Sequence, residues 1–156
     1  MAYNSIYQIS LVPLSTDDYI DEEQFYDNFV GQYASYVDDS ADRDKEIERL
    51  KKELGSAAEW DNDSFKIIDK DEFFRGKHIR FKDAIERVST YELNEFSGSV
   101  PSDIDLDMFK LNKCYSDEFG TYTYDEGNST RTLDQFVRQA KIGETWYIGN
   151  VINYHY

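Results

Sequence analysis

Apolar and polar residues alternate from Ser5 to Leu11, with Tyr7, Ile9 and Leu11 on one side and Ile6, Gln8 and Ser10 on the other. A period of two predicts a strand, which Pro13 ends. The pattern then changes. From Asp21 to Val37 the residues Phe25, Tyr26, Phe29, Val30, Tyr33, Tyr36 and Val37 recur in steps of one, three and four. That stripe predicts a helix, with Thr16 as a cap before it and acids in its first turn. Ser40 and Gly55 bracket a second helix, Ala41 to Leu54. Its apolar stripe, Ile47, Leu50 and Leu54, is narrow enough to serve one neighbour. The expected neighbour is the first helix, which makes 15–55 a helical hairpin appended to the domain.

Further along, Phe65 to Ile68 reads as a short strand. Gly76 breaks the chain, and Ile79, Phe81, Ala84, Ile85 and Val88 predict a strand running into a third helix at about 82–93. Residues 97–101 form a loop, and 102–111 fit either a strand or a short helix. Phe119 to Tyr124 alternates Thr with Tyr and predicts a strand, followed by a turn over Asp125, Glu126, Gly127 and Asn128. Thr132 and Gln135 make a capping box for a helix through Phe136 and Ala140, stopped by Gly143. Thr145 to Tyr156 closes the chain as a strand with a bulge at Gly149. Strands and helices mix without a βαβ rhythm. The expectation is therefore an α+β fold in one domain, residues 1–156. It has a mainly antiparallel sheet and about four helices, including an acidic N-terminal helix and a charged second helix packed as a hairpin. The two terminal strands pair centrally.

Charge changes the picture most. The net charge is -15, and it is segregated. Residues 1–42 carry nine acids, residues 88–109 five and residues 114–130 four, with no Lys or Arg in any of the three stretches. Residues 43–87 carry twelve acids and twelve bases. Such charge raises the question of disorder, but 40% hydrophobic and 16% aromatic residues supply the burial a disordered chain lacks. Membranes and nucleic acid, both anionic, are disfavoured as direct partners. The single cysteine, Cys114, fits a reducing compartment, and MAYNSIYQIS lacks the basic and apolar regions of a signal peptide. The expected location is the cytoplasm of the host cell.

Candidate chemistry is sparse. The eight glycines form no phosphate loop or dinucleotide fingerprint. His78 and His155 lack ligand-spaced neighbours, and Cys114 sits in no nucleophile signature. A calcium loop starting at Asp61 fails at Phe65 and Lys66, and one starting at Asp103 fails at Met108 and Cys114. No catalytic, metal or cofactor residue is assigned, and the expectation is a protein that is not an enzyme.

The acids suggest a partner instead. On a helix, Asp17 with Asp21 and Asp18 with Glu22 stand roughly 5–6 Å apart. On a strand, Asp103, Asp105 and Asp107 share one face at about 6.6–6.8 Å. Both spacings are comparable with those of neighbouring phosphates. The chain resembles the acidic DNA-mimic inhibitors of phages and mobile elements, of the anti-CRISPR or anti-restriction type, in size, acidity, aromatic richness and absence of catalytic motifs. That resemblance implies a non-enzymatic inhibitor of a host defence nuclease, such as a CRISPR effector that reads DNA with Arg side chains. Its partner-binding residues are Asp17, Asp18, Asp21, Glu22, Glu23 and Asp27, then Asp103, Asp105 and Asp107. Two alternatives stand beside it: an immunity protein that neutralises a basic nuclease toxin, and a soluble acidic globular protein whose charge serves solubility alone.

Overall fold

A computed structural model describes residues 2–125, 127 and 129–156. Its centre is a mixed seven-stranded sheet, curled into a half-barrel. The strands are β1 (Tyr3–Ser10), β2 (Tyr36–Asp38), β3 (Ala58–Asp61), β4 (Ser64–Ile67), β5 (Tyr122–Tyr124), β6 (Thr130–Thr132) and β7 (Thr145–His155). The order is β3-β4-β7-β1-β5-β6, with β2 also paired to β7. The eleven-residue β7 is long enough to hold β4 at residues 145–147 and β2 at residues 153–155. The two terminal strands do pair at the centre, antiparallel from Tyr3↔His155 to Ser10↔Tyr147. Their register shifts between Tyr7 and Ile9, where β7 has one extra residue at the expected Gly149 bulge.

The helices are α1 (Arg43–Leu54), α2 (Lys70–Ser89), α3 (Leu93–Phe96), α4 (Ile104–Tyr115) and α5 (Leu133–Gln139). Single 3-10 turns occur at Thr16–Asp18, Glu22–Phe25 and Gly55–Ala57. The sheet is apolar on both faces. One face, with Tyr7, Ile9, Phe65, Ile67, Trp146 and Ile148, is covered by Ile47, Leu50 and Leu54 of α1 and by Leu133, Phe136 and Val137 of α5. The other, with Ile6, Tyr122, Tyr124, Ile152 and Tyr154, is covered by Phe25, Phe29 and Ala34.

Several expectations need correction. In place of the expected mainly antiparallel sheet stands a mixed one curled into a half-barrel: β1 runs parallel to β5, while the other strand pairings among the described residues are antiparallel. The helices among the described residues are five, not about four, and are differently placed. The N-terminal acidic helix is absent, and residues 15–42 form a strap of short turns ending in β2. Two causes combine. Acids at positions 17 and 21, 18 and 22, and 23 and 27 would repel at i,i+4 with no base to relieve them. Gly31 then takes φ 90°, a left-handed conformation that stops a helix. With no first helix there is no hairpin, and α1 packs on the sheet instead. Its cap is Asp42, which accepts from the Lys45 amide, rather than Ser40.

The strand near Ile79 and the break at Gly76 are also overturned, because α2 runs unbroken from Lys70 to Ser89. A single glycine costs a helix only about 1 kcal/mol. The cap from Asp69 to the Glu72 amide and packing against α4 outweigh it. The Thr132–Gln135 capping box is present in both directions, at 3.2 and 3.1 Å. Of the turn expected after Tyr124, Glu126 and Asn128 lie outside the described residues.

Candidate functional site

The strap takes its place from the sheet beneath it. The Gln8 amide group donates to the Asp18 carbonyl at 2.9 Å and accepts from the Ile20 amide at 3.1 Å. The Asn150 side chain donates to the Ile20 carbonyl at 2.8 Å and to Asp39 at 3.0 Å. Between these anchors Phe25 and Phe29 turn inward, while Tyr26 and Tyr36 stay exposed. Phe29 meets Tyr122 and Tyr154 edge-on at 4.9 and 5.2 Å between ring centroids, and Phe25 meets Tyr124 at 5.3 Å. Burial pushes the phenols of Tyr122 and Tyr154 up, so both remain neutral donors, to the carbonyls of Glu118 and Gly120. At the strap's end His155 Nε2 lies 2.6 Å from Asp38 Oδ2, and the His155 ring stacks on Tyr36 at 4.1 Å. Burial alone would raise Asp38. Hydrogen bonds from Ser40 and His155 outweigh it and hold the carboxyl below its usual range.

With Phe25 and Phe29 inward, the acids face out. Asp17, Asp18, Asp21, Glu23, Asp27, Asp39 and Asp42 are exposed, while Glu22 and Asp38 are half-buried. They divide by what their carboxylates do. Asp18 accepts from the Ser15 amide and hydroxyl, Asp21 from the Glu23 amide, and Glu22 from the Tyr26 hydroxyl. These three hold local turns. Asp17, Glu23 and Asp27 have no side-chain partner among the described residues. Glu23 and Asp27 converge on a recess of about 540 Å³, lined also by Gln24 and Asn28 and by Tyr124 and Thr130 of the β5–β6 edge. A recess with two carboxylates and no base suits an incoming Lys or Arg side chain.

The second acidic set takes the helical option, so it lacks the shared face that a strand would have. Residues 104–115 are helical, so Asp103 and Asp107 stand one turn apart and Asp105 points away from both. Asp107 is buried and committed. It accepts from the Tyr91 hydroxyl and lies 3.7 Å from Arg87. The Tyr91 phenol is pushed up to about 12 by that hydrogen bond. No hydrogen bond or ion pair among the described residues joins Asp103, Asp105 or Asp107 to the strap. The third base-free stretch is partly paired in space: Asp125 pairs with Arg131 at 2.7 Å, and Asp117 lies 4.0 Å from Lys113.

A feature missed at the sequence level is α3. Leu93 and Phe96 are 80% and 78% exposed, and Glu92 and Glu95 form the capping box around them. The signal was Leu-Asn-Glu-Phe isolated between Thr90 and Gly98. Among the described residues no three His, Cys, Asp or Glu side chains are grouped to hold a metal ion. No helix there is long and apolar enough to cross a membrane. No protein-family model, curated protein or solved structure matches the chain.

Proposed function

We propose that this protein is a non-enzymatic inhibitor whose acid strap occupies a basic nucleic-acid-binding site of a defence nuclease, acting in the host cytoplasm. The observation that carries this reading is the outward-facing strap. It carries nine acids without a base, seven of them exposed, on a backbone anchored to the sheet by Gln8 and Asn150. A fixed row of carboxylates attracts an Arg/Lys groove over long range and orders the encounter before contact. Arg side chains that read DNA are suitable partners for Glu23 and Asp27, because guanidinium groups bind carboxylates and phosphates in the same forked geometry. The reading centres on Asp17, Glu23 and Asp27, whose carboxylates have no other partner among the described residues. Asp18, Asp21 and Glu22 support them by shaping the turns.

The test is competition. A purified RNA-guided DNA nuclease is incubated with its DNA and increasing amounts of this protein. Wild type is expected to displace the DNA, more weakly as salt rises. The D17K/E23K/D27K variant is expected to lose at least tenfold in potency while keeping its melting temperature. Equal potency of the two proteins would remove the strap from the interface.

A further inference from the structure

On the helical side of the molecule the charge reverses. A cavity of about 720 Å³ lies between α2 and the C-terminal end of α4, closed by Arg138 of α5. A second, of about 370 Å³, adjoins it along the same two helices, and Lys77 and Cys114 line both. Together their walls hold seven Lys or Arg residues against Asp71, Asp83 and Asp117. That is seven of the chain's seventeen bases, in a protein of net charge -15. Lys77, Arg87 and Lys113 are paired with Asp134, Asp107 and Asp117. Arg80 and Lys110 are exposed and have no ion-pair or hydrogen-bond partner among the described residues.

The two ends differ in character. The smaller cavity is lined by charged side chains around Cys114. The larger has Phe74, Ile79, Phe81 and Tyr115 in its wall. There the Arg138 guanidinium lies 4.1 Å from the Tyr115 ring centre and 4.7 Å from that of Phe74, and it donates to the Tyr115 carbonyl. Tyr115 is nonetheless 60% exposed. A planar cation held over two rings is a stacking platform for another flat ring. Several spread bases at the other end suit a polyanion better than one carboxylate. Apolar planarity at one end and multiple positive charge at the other describe one ligand class.

We propose that this groove binds a free nucleoside phosphate, with the base on the Tyr115–Arg138 platform and the phosphates against Arg80, Lys110 and Lys113. The ring gives orientation and the phosphates give most of the attraction, so neither half alone holds well. The site lies apart from the strap residues and does not depend on the inhibitor reading. Cys114, the chain's one cysteine, stands at the junction and reports on occupancy.

Calorimetry at low ionic strength tests this with ATP, adenosine, inorganic triphosphate and a single strand of eight thymidylates. ATP is expected to bind at least tenfold tighter than adenosine or triphosphate, and to slow alkylation of Cys114 by iodoacetamide severalfold. The R80E/K110E variant should lose tenfold or more of ATP affinity. K45E/K52E, which changes net charge equally on α1, should stay within twofold of wild type. Tyr115→Ala should weaken ATP but not triphosphate. Absence of ATP binding at millimolar concentration would overturn the proposal, as would R80E/K110E binding ATP as wild type does. A thymidylate strand bound tenfold tighter than ATP would overturn the assignment to a free nucleotide.

Discussion

Gln8 and Gly149 form a matched pair. The Gln8 carbonyl oxygen accepts from the amides of Ile20 and Asn150, at 3.1 and 3.0 Å, which joins the strap to the bulged strand β7. The space it uses is the space a side chain at position 149 would fill. A Cβ there would sit 2.3 Å from Gln8 Oε1 and 2.8 Å from a Leu14 methyl. Gly149→Ala is therefore expected to destabilise the protein by about 1–3 kcal/mol, as overpacking does. Chemical denaturation checks this, and an unchanged midpoint would mean that the bulge relaxes freely. The glycine and its bulge were legible in the sequence because glycine interrupts an otherwise apolar strand. The partner was not, since nothing in a lone Gln8 says which backbone it will meet 142 residues away. The acids show the same limit. Their number and segregation could be read, but the division between turn-holding Asp18, Asp21 and Glu22 and Asp17, Glu23 and Asp27, without partners among the described residues, depends on turns that only the folded strap has.

The strap is the element where periodicity and structure part. Phe25, Phe29 and Val37 are buried, as their spacing predicts, yet the backbone between them is not a helix. Of the same stripe Tyr26 and Tyr36 are exposed, so apolar spacing reports only part of what faces inward. It does not report the backbone when packing is strong and like charges oppose the helix. At Asp103 to Asp107 the pattern left strand and short helix open, and the helix is formed: Asp103 begins it, and Tyr91 and Arg87 of the neighbouring segment claim Asp107. The strap also has a pH response. Asp38 is held below its ordinary value of 3.8, so its contribution is fully present above about pH 4 and is lost as pH falls through the folded value. Protection factors of the amides in β2 and at residues 153–155 should fall below about pH 4 while the β1–β7 centre near Ile152 stays protected. Asp38→Asn should show the lower protection already at neutral pH. Protection of β2 that is unchanged in both experiments would show that the Asp38–His155 pair does not hold the strap end.

At the scale of the molecule, the sheet separates two covers of different charge. One face carries a strap with nine acids and no base. The other carries α1 and α5, with α2 and α4 at their side forming a groove walled by seven bases. This polarity follows from chain order, because the base-free first 42 residues supply one cover and later helices supply the other. We propose the strap as the surface the protein offers to a basic partner. Paired pull-downs from host lysate, with wild type and D17K/E23K/D27K at about 0.1 M and 0.5 M salt, test it most directly when read by mass spectrometry. The expected result is a nucleic-acid-binding nuclease retained by wild type at low salt and lost both at high salt and from the variant. Recovery of the same proteins by the two forms, or of none by either, would contradict it.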